Sequence, residues 1–140
     1  MSSRTRSGLG FIRLGGGLSA ALLLILAQPP FDLFPLSVFA LAPLAMGFAS
    51  LPRNPGGAWA ATVLGGAFGG AYWVWTLVWI PVVVAPHFSW AIPGYLLLLT
   101  ILISLSALCG RLTHALHQEQ GLPLALAFPL AWVGVEWARA

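Results

Sequence analysis

Three groups of residues have types and spacings that could carry chemistry. Trp132, Glu136 and Arg139 fall at i, i+4 and i+7, one face of a helix. Glu136 and Arg139 are three apart, close enough to pair. A carboxylate in an otherwise apolar segment is costly to hold away from water and points to function. A salt-bridged cap at an interface is the competing reading. Tyr72, Trp75 and Trp79 repeat at i, i+3 and i+7. They form either an aromatic belt at a membrane–water boundary or an apolar wall for acyl chains, with indole N–H groups to bond a headgroup or ester oxygen. Gly65, Gly66, Gly69 and Gly70 form two overlapping G-x-x-x-G pairs. Such pairs let two helix backbones approach closely, as ordinary packing or to shape a site.

The remaining candidates are weaker. His114 and His117 are three apart, with Glu119 beyond them. A metal site needs further ligands, and the segment reads as a solvated polar loop. Cys109 has no neighbouring histidine or lysine to make a thiolate, so it reads as inert packing. There is no Ser-His-Asp pattern and no phosphate loop, and all six basic residues are arginine, so no lysine is available as a base or nucleophile. No metal or cofactor is implied.

The composition decides what kind of scaffold holds these groups. Of 140 residues, 59% are hydrophobic and 6% charged, against about 25% charged in an average soluble domain. Mean hydropathy is +0.92. Too few polar side chains exist to cover a water-soluble surface, and disorder requires the opposite balance. A net charge of +3 is too small and too dispersed for a nucleic-acid footprint. What remains is an all-α, polytopic membrane helix bundle.

About five transmembrane helices are expected, over residues 12–28, 34–51, 58–80, 90–110 and 122–138, in a single membrane domain covering 1–140 with no soluble domain. Pro29 and Pro30 end the first span. Asp32 is expected to cap the second, which Pro43 should kink. Residues 52–57 read as a loop, Pro81 as the end of the third span and Arg111 as the close of the fourth. Pro129 should bend the fifth. Arg4, Arg6, Arg13, Arg53 and Arg111 fall on one side of this arrangement and Arg139 on the other. That bias puts the N-terminus in the cytoplasm, and Glu136 and Arg139 toward the outer end of the last span.

Three stretches taken together resemble the bacterial apolipoprotein N-acyltransferase family. Pro30-Phe31-Asp32-Leu33-Phe34-Pro35 is similar to the family's turn between its first two helices. Gly65-Gly66-Ala67-Phe68-Gly69-Gly70-Ala71-Tyr72-Trp73-Val74 is similar to its glycine-rich third helix. Pro129-Leu130-Ala131-Trp132 with Glu136-Trp137-Ala138-Arg139 is similar to its P-x-x-W…E-[aromatic]-x-R motif. The order of the three matches the family, and the resemblance spans essentially the whole chain.

The resemblance implies an enzyme of the bacterial inner membrane that matures lipoproteins. It moves an acyl chain from a phospholipid donor to the α-amino group of a diacylglyceryl-cysteine on a lipoprotein acceptor, through a thioester. In the family a Glu-Lys-Cys triad on a nitrilase-like domain does this, and nothing in this chain matches that domain. The chain therefore reads as the N-terminal membrane part, a fragment with no catalytic residue of its own and no activity alone. A non-catalytic membrane scaffold or small transporter module is the alternative.

Overall fold

The computed structural model describes the backbone of residues 3–139 and the side chains of residues 14–139. The described residues are helical with no strand. Helix α1 runs Ser3–Leu26, α2 Leu36–Ala40, α3 Ala42–Ala49, α4 Pro55–Thr76, α5 Ala91–His114 and α6 Leu124–Arg139. Two π-helical segments, Ile80–Val84 and Ala115–Glu119, follow α4 and α5. With α2 and α3 taken as one broken rod, five helical units result. Pro55–Val84 and Ala91–Glu119 are long and apolar enough to cross a membrane by length and composition; Leu14–Leu26 and Leu36–Ala49 are shorter apolar helices. The side chains of Arg4, Arg6 and Arg13, which carry part of the expected charge bias, lie outside the described residues.

Proline sets most of the breaks. Helix α1 ends at Leu26 just before Pro29 and Pro30, and the peptide bond between those two is cis. Asp32 does not cap the next helix as expected. It takes φ 53°, a left-handed turn position that aspartate tolerates, and its N–H donates to Gln28 O at 3.2 Å while Leu33 N–H reaches Leu26 O at 3.1 Å. Asp32 therefore reverses the chain, and Pro35 stands before α2. The expected kink lies at Leu41, between α2 and α3. Pro43 causes it: it has no N–H for the carbonyl four residues back, and its ring crowds that carbonyl.

Three helix ends differ from the sequence reading. Asn54 caps α4, its side chain accepting from Gly57 N–H at 2.8 Å, so residues 55–57 are helix and not loop. Pro81 does not stop the third rod but sits inside the segment Ile80–Val84. The wider π turn lets Ala85 N–H reach Ile80 O at 3.1 Å past the missing proline donor. Arg111 does not close the fourth rod either. The helix passes through it to His114 and continues to Glu119. Basic residues in a last helical turn are favoured by the helix dipole. Gly121, at φ +74°, then turns the chain toward α6.

The interior is built mainly of small side chains with a few large ones between them. Ala20, Ala21, Ala61 and Ala127 are fully buried, around Leu44, Phe48, Leu64 and Phe68. Large apolar side chains face outward on every rod, among them Leu22, Phe39, Met46, Leu97, Val133 and Trp137. Water would penalise that surface; hydrocarbon does not.

Candidate lipid-facing site

The site is organised by two faces of α5. Against α4, the seam is closed by glycine. A Cβ on Gly65 would run into the Ser106 carbonyl oxygen and lie 3.2 Å from Gly110 Cα, and a Cβ on Gly69 would overlap the Ser106 side chain. A Cβ on Gly110 would overlap the Ala61 carbonyl. Gly66 and Gly70 are different: a Cβ there would lie 3.6 Å from Ala107 Cβ and 3.8 Å from Ile103 Cδ1, ordinary contacts. The quartet thus divides into a buried pair in the seam and a pair beside it.

Inside the seam sits a polar node. Ser106 Oγ donates to Leu102 O at 2.9 Å, and Trp73 Nε1 donates to Ser106 Oγ at 3.2 Å. Sequence reasoning missed Ser106, Gly110 and Trp73. The signal was available: Ser106 and Gly110 are themselves a small-xxx-small pair on the partner helix.

The aromatic residues do not form one wall. Tyr72 turns inward, stacked on Phe68 with ring centroids 6.0 Å apart, and its hydroxyl accepts from Gln28 Nε2 at 2.6 Å. Trp75 is exposed and stacks on Phe31 of the first turn at 6.2 Å. Trp79 is exposed. Trp132 on α6 joins Tyr72 through Phe68, meeting it edge-on with ring centroids 6.4 Å apart, and its ring centroid lies 6.1 Å from that of Phe128. The structure therefore links Tyr72 with Trp132 and leaves Trp75 and Trp79 apart from them.

On the α6 face, Trp132 lines two depressions. One is an apolar groove of about 250 Å³ with Leu41, Phe128, Pro129 and Val133. It lies between the α2–α3 break and the proline inside α6. The other is a small cleft of about 20 Å³ where Trp132 and Glu136 meet Leu105, Ser106 and Cys109. Ser106 is about 22 Å along α5 from Ala91 at 1.5 Å per residue. Glu136, which shares this cleft, thus lies level with the middle part of α5. Arg139 pairs with Glu136 across one turn, with both side chains more than a third exposed.

Cys109 is free and buried, with only the narrow cleft beside it. His114 and His117 are not on a solvated loop. His114 is 2% exposed, and its Nε2 donates to Pro52 O at 2.9 Å. His117 Nδ1 donates to Leu122 O at 2.8 Å and fixes the turn into α6. Their partners hold them as structural groups, and no cluster of three metal-ligating side chains exists among the described residues.

No curated protein and no solved structure matches the chain. A family profile does: the apolipoprotein N-acyltransferase N-terminal domain matches residues 20–140. That span holds the α4–α5 glycine seam, the Tyr72–Phe68–Trp132 contacts and the Glu136–Arg139 pair, and the chain belongs to the apolipoprotein N-acyltransferase N-terminal domain family.

Proposed function

We propose that this chain is the membrane portion of an apolipoprotein N-acyltransferase of the bacterial inner membrane. The enzyme transfers an acyl chain from phospholipid to the amino group of a lipoprotein's diacylglyceryl-cysteine. The N-terminus and the segments holding Arg53 and Arg111 face the cytoplasm, and the chemistry takes place outside. The observation that carries the reading is the family match across residues 20–140, joined to a bundle whose outer surface is apolar.

Within that role, α6 handles lipid. The groove of Leu41, Phe128, Pro129, Trp132 and Val133 has no polar lining and suits an acyl chain. Glu136 and Arg139 follow one and two turns later on the same helix and offer opposite charges side by side, a match for a zwitterionic headgroup. The chain itself supplies no thioester chemistry, having no lysine and a buried Cys109 whose cleft has no cationic side chain among the described residues to stabilise a thiolate. Gly65 and Gly69 serve packing.

Complementation tests this. Arg139→Ala, Glu136→Ala and the double variant are placed in the gene encoding this chain, in cells depleted of their own enzyme, at matched membrane levels. Each single variant should reduce N-acylated lipoprotein in mass spectra. Unchanged acylation from both would reduce the pair to a helix cap. N-acylated lipoprotein produced by residues 1–140 alone would refute the non-catalytic role.

A further inference from the structure

At the end of the bundle opposite the aromatic turns, the start of α4 and the end of α5 enclose a pocket of about 390 Å³. Arg53 and Asn54 enter it from one side, and Arg111, His114, Gln118 and Glu119 from the other. Arg53 and Arg111 are 58 positions apart in sequence, and the antiparallel α4–α5 seam brings them to one cavity.

We infer that this pocket binds a phosphate group, and that Arg53 and Arg111 are the residues that hold it. The two guanidinium groups outnumber the single carboxylate, Glu119. Neither is neutralised: among the described residues the ion pair is Glu136–Arg139, elsewhere. Arg53 is also positioned. Its Nε donates to Gln118 Oε1 at 3.1 Å, which leaves the terminal N–H groups of the fork free for an oxyanion.

A further feature agrees. The N-terminus of α4 opens beside the pocket, with Asn54 satisfying Gly57 N–H, and its dipole favours an anion there. A generic positive fringe would spread its arginines over the rim; here two are gathered over one concavity between helix ends.

Phosphate chemistry has two sources at such a position, a phospholipid headgroup and free phosphate, and the test separates them. The chain is purified in detergent and titrated with phosphatidylglycerol, with diacylglycerol and with inorganic phosphate, using native mass spectrometry. One phosphatidylglycerol per chain should bind at least about tenfold more tightly than diacylglycerol, and Arg53→Ala/Arg111→Ala should lose about tenfold or more. Binding of inorganic phosphate as tight as that of the lipid, lost in the same variant, supports the site and assigns it to the free anion. Equal binding of phosphatidylglycerol by variant and wild type, or of diacylglycerol and phosphatidylglycerol by wild type, overturns the inference. A second measurement needs no variant. Phosphatidylglycerol or inorganic phosphate should slow phenylglyoxal modification of Arg53 and Arg111 in the wild-type chain several-fold, where diacylglycerol does not. Rates unchanged by every phosphate compound overturn the inference even if the double variant fails to fold.

Discussion

Helix α5 makes two contacts of opposite design. Toward α4 it presents Ser106 and Gly110 to Gly65 and Gly69, with backbone against backbone and no space left. Toward α6 it presents Leu105, Ser106 and Cys109 to Trp132, Val135 and Glu136, with a cleft between them. In hydrocarbon no water is released by pressing two apolar faces together, so dispersion and hydrogen bonds must supply the attraction, and both grow as backbones approach. The first contact uses that rule fully. The second gives up closeness for large rings and a charged pair. The α4–α5 seam is thus a closed frame, while the α6 side of α5 keeps a cleft and a charged pair.

The strongest way to break this contrast is to add one methyl group in the seam. Gly65→Ala puts a Cβ into the Ser106 carbonyl, where only a backbone shift makes room. It should cost about 1–3 kcal/mol or more. Gly66→Ala, one residue away, meets only Ala107 Cβ at 3.6 Å and should be neutral or slightly stabilising. Thermal unfolding in detergent, followed by circular dichroism, compares the two. Equal losses would show that α4 has no preferred face.

The next effect tests the polar node. Ser106→Ala removes the acceptor of Trp73 Nε1 and should cost about 1–3 kcal/mol, the penalty of stranding a donor away from water. Gly69→Ala overlaps the same side chain, so the pair Gly69→Ala with Ser106→Gly should be less damaging than the sum of the two singles. Strict additivity in the same unfolding experiment would mean the helices sit further apart. Tyr72→Phe is milder. It deletes the hydroxyl that accepts from Gln28 Nε2 and keeps the Phe68 stacking, for about 0.5–1.5 kcal/mol. An unchanged melting temperature would mean that the first turn is not tied to α4 through this bond.

How much of this was legible from the sequence depends on the reach of each cause. Pro29-Pro30, Pro43 and Asn54-Pro55 act on their own neighbours, so the breaks they impose could be read directly, even where the exact boundary moved. Pro81 misled because a π turn can carry a helix past a missing donor, and Arg111 because a charge that ends an apolar run does not end a helix. His114 could not be placed at all, since its partner Pro52 lies 62 residues away. The glycine quartet was legible as a packing motif. Its division into seam and flank was not, because that depends on where Ser106 and Gly110 fall on the facing helix.

Cys109 gives the smallest expected effect and the sharpest reading of the second contact. It lies where α5 meets the α6 cleft, the one place on the described helices where a thiol and a carboxylate, Glu136, line a common space. If that cleft were reactive, losing the thiol would abolish function. The surroundings argue against it: Cys109 is 4% exposed, and the cleft is about 20 Å³. Among the described residues no basic side chain lines the cleft to stabilise a thiolate. Cys109→Ala should therefore act only through volume. Removing one sulfur atom from a packed site costs about 0.5–1 kcal/mol by the cavity rule, well below the Gly65→Ala effect. N-acylation of lipoproteins in a depleted strain should stay at the wild-type level. In detergent, wild-type Cys109 should resist N-ethylmaleimide until the bundle is unfolded. Loss of acylation with an unchanged unfolding midpoint, or rapid labelling in the folded state, would move Cys109 from the frame to the working face and erase the distinction between the two sides of α5.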